Sequence, residues 1–340
     1  MIGSSNNTLK SYGDKQPGIR KSANNGCLYI YSEKGNDAGT LTSTGSRGHG
    51  IDVGNIEING GTVTVNGGDG GHGGDDGGRG GDGGSGINSN NVTINGGTVN
   101  ASSTVNGSDG GDGGGSGGSG GDGGSGINSN NVTINGGTVN ASSTGDGGHG
   151  GHGGHGNGGH GGDGASGINS NNVTINGGTV NASSYCHGGN GGNSGYGVKA
   201  AAGNGGNGGS GIKDNATING GTVTVNGGGY GGNGGDGGHG GNGGSGIGGN
   251  ITITGGSVNC KNIERQPVNN KGENVYLATV FNPKGDNIYV NGSDEKYNCP
   301  PIHSESDRHL YLYLPKNKDS KLNIKLANTY DFEYNFKDGK

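Results

Sequence analysis

The chain repeats one unit six times, and this repeat limits the folds open to it more than any other feature. Each copy has a Gly-Ser-Gly-Ile-like opening, a short turn, a Val-Thr-Ile-like segment, a glycine corner, a Thr-Val-like segment and a run of Gly-Gly-X triplets. Only the glycine runs vary much in length. A unit that keeps its apolar pattern while its loop varies is typical of a structural coil, and such coils bury apolar surface only by stacking. The isoleucines that open the copies are spaced 36, 40, 41, 44 and 35 residues apart, at Ile51, Ile87, Ile127, Ile168, Ile212 and Ile247.

Within one coil, the apolar residues alternate with polar ones. Residues 92–94 (Val-Thr-Ile) and 98–101 (Thr-Val-Asn-Ala) have the period of two that half-buried strands show. Residues 95–97 (Asn-Gly-Gly) separate them, and glycine and asparagine both tolerate the positive φ of a sharp turn. Ile87 supplies a third short side. The unit therefore predicts one coil of a parallel β-helix with three short sides.

Stacking the copies predicts three inward columns of aliphatic side chains. One column continues from Ile87, a second from Ile94 and a third from Val99. The asparagines equivalent to Asn95 would form an amide ladder at the corner, although ordinary turn chemistry explains them as well. With a degenerate coil near the N-terminus, we expect an all-β, single-stranded parallel β-helix solenoid of about six to seven coils. The predicted divisions are an N-terminal coil and cap at 1–50, repeats at 51–260 and a C-terminal module at 261–340.

The glycine runs keep a period of three. The chain has 94 glycines but only 6 prolines and no Gly-X-Y period, so a collagen triple helix is excluded. In most runs the phase breaks once near the middle, which predicts a hairpin of two polyglycine-II-like legs that hydrogen-bond to neighbouring legs. The alternative is a disordered spacer, because ordering glycine is entropically costly. Residues 227–245 weaken the hairpin interpretation, because they keep one phase throughout.

After Cys260 the glycine period ends and alternating segments begin. Five of them read as strands, at 275–280, 288–290, 310–314, 322–326 and 332–336. We expect a small all-β cap over the open last rung, since an exposed β-helix end would recruit further chains. The four cysteines allow three disulfide pairings. A Cys260–Cys299 bridge and free buried thiols are both compatible with the sequence.

Composition disfavours several classes of function. The net charge is −6 with no cluster of basic residues, so we expect no nucleic-acid partner. The sequence has no apolar run long enough to predict membrane insertion, and its first ten residues lack the apolar segment of an export signal. The outward positions repeat Thr, Asn and Ser from coil to coil without a catalytic constellation, which predicts that the protein is not an enzyme.

A metal site is one hypothesis for the glycine runs. Stacking aligns Asp82, Asp122 and Asp163 in adjacent rungs, where a calcium ion could offset their repulsion. A solvated acidic stripe is the simpler interpretation. The three histidines at 149, 152 and 155 would lie about 9 Å apart along one leg, too far to share one ion. No other cofactor is expected.

Three tyrosines are the only aromatic residues in the glycine runs. They are Tyr185, Tyr196 and Tyr230, all near the C-terminal end of the repeats. A tyrosine on a glycine background offers a flat apolar face and a hydroxyl, which suits a sugar ring. Scattered surface tyrosines without a function are also common. We therefore predict a ligand contact at these three residues.

The repeat unit, together with residues 275–280 (Val-Tyr-Leu-Ala-Thr-Val) and 310–315 (Leu-Tyr-Leu-Tyr-Leu-Pro), resembles the glycine-rich repeats of bacterial cell-surface proteins. The resemblance covers most of residues 18–340. It implies a parallel β-helix, carbohydrate binding and display outside the cell, with a glycan or a cell-surface receptor as the partner. We therefore expect a non-catalytic extracellular adhesin or carbohydrate-binding protein. The alternatives are the receptor-binding tip of a phage tail fibre and an ice-binding protein.

Overall fold

The structure is a computed structural model of the chain. It describes residues 6–10, 16–20, 26–32, 39–71, 76–196, 200–281, 288–290, 309–315, 321–326 and 330–335. The described residues form strands, turns and extended segments, with no helix among them. The fold is an all-β parallel solenoid, as the repeat predicts.

The strands alternate between a first strand and a second strand in each repeat. The strands of the solenoid are β1 (Asn6–Lys10), β2 (Ile19–Arg20), β3 (Cys27–Ile30), β4 (Thr40–Thr44), β5 (Ile51–Ile58), β6 (Thr62–Asn66), β7 (Ile87–Ile94), β8 (Thr98–Ser103), β9 (Ile127–Ile134), β10 (Thr138–Ser143), β11 (Ile168–Ile175), β12 (Thr179–Ser184), β13 (Asn215–Ile218), β14 (Thr222–Asn226), β15 (Ile251–Ile253) and β16 (Ser257–Cys260). The C-terminal strands are β17 (Val275–Phe281), β18 (Ile288–Val290), β19 (His309–Pro315), β20 (Lys321–Leu326) and β21 (Tyr330–Asn335).

Two parallel sheets build the solenoid. One has the order β1-β4-β6-β8-β10-β12-β14-β16, and the other has the order β15-β13-β11-β9-β7-β5-β2, with β3 also paired to β5. The register places identical repeat positions side by side, so that Ile87 pairs with Ile127 and Val139 with Val180. About four turns of the solenoid, β5–β12, have a first strand of eight residues, and the first strands of the turns on either side are shorter.

The core is a narrow stack of aliphatic side chains. Along β7 the residues alternate between buried and partly exposed, except at one corner, and the same pattern recurs in β9 and β11. The column isoleucines and valines of these turns are fully buried, and they pack as one continuous cluster. Burying a side chain of this size contributes about 1.5–3 kcal/mol. The stack therefore supplies the apolar burial that a chain with 24% hydrophobic residues otherwise lacks.

The sequence interpretation of three separate sides needs a correction. The side that Ile87 begins is not separate from the next one, because β7 runs without interruption from Ile87 to Ile94. The strand bends at its middle, where Asn90 and Asn91 are both exposed and Asn90 falls out of the paired register. Two successive outward residues break the period of two, and this break turns the backbone by a corner without ending its ladder of hydrogen bonds.

The predicted glycine corner and asparagine ladder are both present. Gly97 has φ of 79°, a region open to glycine at little cost, and the equivalent glycine recurs at the next corners. At this corner the Asn135 Nδ2 atom donates to Asn95 Oδ1 at 2.7 Å, and Asn176 Nδ2 donates to Asn135 Oδ1 at 2.8 Å. The corner asparagines therefore serve as turn residues and as a ladder at the same time.

Two of the C-terminal strands, β17 and β19, pack against the last rung. β17 pairs antiparallel with β19, and β18 and β21 pair antiparallel with β20. Val275 and Tyr313 join the aliphatic cluster of the solenoid, and the Tyr311 amide donates to Ser257 Oγ in β16 at 3.0 Å. Val268 bridges the edge strand β15 through bonds to Ile251 and Ile253. These contacts occupy a rung end that would otherwise be open to pairing.

Cys27, Cys186 and Cys260 are free thiols in the described part of the chain. Burial raises the pKa of the Cys260 thiol to about 12, so this thiol stays protonated and unreactive at neutral pH. Cys299 lies outside the described residues, and the free thiol of Cys260 does not support the Cys260–Cys299 bridge.

Candidate binding face on the glycine runs

Each glycine run from the second repeat onward leaves the solenoid, turns and comes back. We call the two halves the outgoing leg and the return leg, and the sheet-like stack of all legs the slab. Hydrogen bonds join legs of successive runs, as between the Gly107 amide and the Asp146 carbonyl at 2.8 Å. Others join the two legs of one run, as between the Gly118 amide and the Gly111 carbonyl at 2.9 Å. The backbone of the runs therefore finds its partners in other glycine legs.

The close approach of the legs explains why the runs are glycine. A Cβ atom placed on Gly147 would lie 1.9 Å from the Gly162 carbonyl oxygen, and one on Gly150 would lie 2.0 Å from that of Gly159. At the hairpin tip the constraint disappears, since a Cβ on Gly114 meets no atom within 4 Å. The glycines inside the slab are thus required by backbone contact.

The third residue of each triplet has a role that sequence reasoning missed. In most triplets inside the slab, its side chain accepts the backbone amide of the equivalent residue in the next run. The His149 amide donates to Asp109 Oδ1 at 2.7 Å, the Asn190 amide to His149 Nδ1 at 2.9 Å, and the Asn233 amide to Asn190 Oδ1 at 2.8 Å. Asp, Asn and His each place an acceptor atom at the δ1 position, while Ser places one at γ. The sequence signal for this role is that most triplet residues carry a side-chain acceptor at one of these two positions.

The unbroken phase of residues 227–245 does not prevent a hairpin. The run turns at Asp236–Gly237, where Gly237 has φ of 91° and the Gly238 amide donates to the Gly235 carbonyl at 2.7 Å. A glycine with positive φ reverses the chain tightly, so this run needs no extra residue at its tip. The constant period of this run is therefore compatible with a reversal of the chain.

The three aspartates considered for a metal do stack. The Asp122 amide donates to Asp82 Oδ1 at 3.0 Å, and the Asp163 amide donates to Asp122 Oδ1 at 2.8 Å. Arg79 lies 2.9 Å from Asp82 at one end of the column, and Lys213 lies 3.6 Å from Asp163 at the other. Two cations and a series of amides thus offset the repulsion between the carboxylates.

Desolvation raises the pKa of the central Asp122, and the nearby charges of Asp163 and Asp82 raise it further. The hydrogen bond from the Asp163 amide and the charge of Lys213 act in the opposite direction. Among the described residues, no group of three or more His, Cys, Asp or Glu side chains is arranged to hold a metal ion. The arrangement therefore lends no support to the calcium hypothesis, which stays a prediction.

Asp82 and Asp122 also line a crevice of about 510 Å³ between the return legs and the first turns of the solenoid. His49 lies in its wall, where its Nδ1 atom accepts the Ser85 amide at 2.9 Å. Burial lowers the pKa of His49, while the charges of Asp52 and Asp82 oppose this shift. The imidazole is thus held neutral by its surroundings and by its role as an acceptor.

The three tyrosines predicted to contact a ligand are all exposed but do not form one cluster. Tyr196 is 94% exposed and lies at a hairpin tip, whereas Tyr185 follows β12 at the start of the same run. Tyr230 is 76% exposed and stacks on His187, with ring centroids 5.3 Å apart and an angle of 6° between the planes. The structure therefore pairs Tyr230 with a histidine that the sequence did not single out.

The stacked rings form one end of a shallow groove across the outgoing legs. The groove has a volume of about 1040 Å³, and its floor is glycine backbone. Its polar lining includes Arg47, Asp69, Asn106, Asp109, Asp146, His149, His187 and Asn190, with Tyr230 as its aromatic member. It combines one stacked aromatic surface with amide, carboxylate and imidazole groups at regular intervals. Tyr185 and Tyr196 are not part of its lining.

Comparisons with protein-family models, curated proteins and solved structures returned no match. Among the residues that the structure describes, none forms a helix of the length and hydropathy needed to cross a bilayer.

Proposed function

We propose that the protein is a non-catalytic extracellular adhesin that binds carbohydrate in the groove across its outgoing legs. In this proposal a solenoid of six to seven coils carries polyglycine-II-like hairpins, and the hairpins present the ligand-binding face outside the cell. The observation that carries the proposal is the Tyr230–His187 stack at the end of a groove lined with regularly spaced polar side chains.

The chemistry of the groove suits a sugar chain. A sugar ring has a face of C–H groups that packs on an aromatic ring, and Tyr230 exposes such a ring with its hydroxyl at the edge. Hydroxyl groups of the sugar need both donors and acceptors. Arg47 supplies donors, Asp109 and Asp146 supply acceptors, and Asn106 and Asn190 supply both.

The support beneath the groove is preorganised. Backbone amides of successive runs hold the triplet side chains of its lining in place, since Asp146 Oδ1 accepts the His187 amide at 2.6 Å and His187 Nδ1 accepts the Tyr230 amide at 3.0 Å. A rigid site loses little conformational entropy when a ligand binds, and this favours recognition through a few polar contacts.

The proposal is tested by glycan-array screening, followed by titration of the best ligand against three single variants. Loss of the aromatic face in Tyr230→Ala is expected to weaken binding about tenfold, which corresponds to about 1.4 kcal/mol of stacking. Tyr196→Ala at the hairpin tip is the matched control and is expected to stay within about twofold. Tyr185→Ala tests whether the ligand extends beyond the groove towards β12. An array without a hit, or a ligand that binds Tyr230→Ala as tightly as the unmodified protein, would overturn the proposal.

A further inference from the structure

The slab ends at an edge that repeats the hydrogen-bonding groups of its interior. This edge, which we call the open edge, is formed by the two legs of the last run, residues 230–235 and 238–245. In earlier runs, equivalent glycine amides donate to the next run, as Gly188 does to the Tyr230 carbonyl at 2.9 Å and Gly208 to the Asn242 carbonyl at 2.8 Å. In the last run, four such amides have no partner among the described residues, namely those of Gly231, Gly234, Gly240 and Gly243.

The open edge also carries free acceptors. The Gly206 carbonyl accepts the Gly232 amide of the following run at 2.8 Å, and Gly241 is the equivalent residue in the last run. The Asn207 Oδ1 atom likewise accepts the Asn242 amide at 3.0 Å. Asn242 has the same Oδ1 acceptor, and among the described residues no further run follows it to donate an amide. The edge therefore presents donors and acceptors in the spacing of the slab.

A neighbour that approaches the open edge as closely as the legs approach one another inside the slab needs a face without side chains. A Cβ atom on Gly240 or Gly243 would point outwards, with its nearest neighbour 3.5 Å away. Inside the slab, the equivalent residue of an earlier return leg is Gly120. A Cβ atom on Gly120 would lie 2.0 Å from the Gly148 carbonyl oxygen of the next outgoing leg. The outward face of the last return leg is therefore bare backbone and open to a close neighbour.

We propose that the open edge docks the open edge of a second copy of this chain and so forms a two-fold dimer. Because donors and acceptors lie on the same edge, the edge is complementary to itself, as an isologous contact requires. Residues 46–48 cover the base of the opposite edge through bonds to Gly68 and Asp69, and Asn262 covers the base of the open edge through bonds to Gly246 and Gly227, so the contact is made by the outer parts of the legs. A two-fold axis perpendicular to the slab places the two solenoids at opposite ends of the joined legs, away from one another.

Sedimentation equilibrium of the full chain tests the proposal. The contact involves only two short legs per copy, so we expect a weak dimer, and the weight-average mass should rise towards that of two chains as concentration approaches about 1 mM. The double variant Gly240→Val/Gly243→Val points side chains outwards from the open edge and is expected to stay monomeric with an unchanged melting temperature. Gly114→Val, at a hairpin tip with no atom within 4 Å of its Cβ, is the control and is expected to dimerise normally.

A second variant keeps the test valid if the valines disturb the slab. Asn233→Asp/Asn242→Asp retains the Oδ1 acceptors and brings like charges together across the two-fold axis. It is expected to weaken the dimer at least tenfold at low salt, with partial recovery in high salt. A monomeric unmodified protein at about 1 mM, a dimer unaffected by both double variants, or filaments in place of a closed dimer would each overturn the proposal.

Discussion

Two neighbouring glycines in the last return leg should respond in opposite ways to the same substitution. A Cβ atom added to Gly241 would lie 1.9 Å from the Gly206 carbonyl oxygen, whereas one added to Gly240 has its nearest neighbour, the Gly232 carbonyl oxygen, at 3.5 Å. Ordinary van der Waals contact begins near 3.4 Å. The leg of Gly241→Ala must therefore move by about 1.5 Å, the difference between 3.4 and 1.9 Å, while Gly240→Ala requires no movement.

A movement of this size breaks hydrogen bonds that are now 2.8–2.9 Å long. Each bond has a net value of about 0.5–1.5 kcal/mol, so we expect Gly241→Ala to destabilise the last leg by about 3 kcal/mol. Gly240→Ala restricts the unfolded chain and is expected to change stability by less than about 1 kcal/mol, in the stabilising direction. The three bonds concerned are Gly241 to Gly232, Gly205 to His239 and Gly208 to Asn242.

The two variants are compared by hydrogen exchange and urea unfolding, with the unmodified protein alongside. Exchange in residues 238–245 should accelerate by roughly two orders of magnitude in Gly241→Ala, which corresponds to about 3 kcal/mol of local opening. It should stay unchanged in Gly240→Ala. Equal exchange in the two variants would refute the argument that backbone contact determines where glycine is needed.

The remaining predictions concern the solenoid and its response to acid. Ile134→Ala, which empties part of a fully buried column, should lower the free energy of unfolding by about 2–5 kcal/mol, against less than about 1 kcal/mol for the outward Thr133→Ala, as measured by urea unfolding. Asn135→Ala removes two ladder bonds and should cost about 1–2 kcal/mol in the same assay. Because burial lowers the pKa of His49, stability should fall as the pH drops below about 6.5, when the unfolded state takes up the proton first. His49→Asn keeps a δ1 acceptor and should flatten this pH dependence in thermal melts, and an unchanged slope would contradict it.

The solenoid could be predicted from the sequence because its signal is local and repeated. Alternating residues such as Val92 and Ile94 identify the buried face, and the copies align by their isoleucines, so the register follows directly. The continuity of β7 was missed, because two adjacent outward asparagines, Asn90 and Asn91, resemble a loop between two sides. Whether the hydrogen bonds between strands continue through such a corner depends on the strands of the neighbouring turns.

The candidate site was less predictable, because it depends on which legs become neighbours. The sequence identified Tyr230 as exposed and aligned Asp82 with Asp122, since both follow from repeat spacing. It did not reveal that His187 lies under Tyr230, because their equivalence depends on the register of two glycine runs. The role of triplet side chains as acceptors depends on the same lateral contact between runs.

Backbone hydrogen exchange within residues 106–125, followed by nuclear magnetic resonance, tests most directly whether the glycine runs form a hydrogen-bonded slab. The amides of Gly110, Gly118 and Gly121 donate to neighbouring legs at 2.8–2.9 Å, and we expect them to exchange at least a hundredfold more slowly than in an unstructured chain. The amides of Gly114 and Gly115, at the hairpin tip, have no described backbone acceptor and should exchange rapidly. Rapid exchange at all five glycines, with the strands of the solenoid still protected, would contradict the slab.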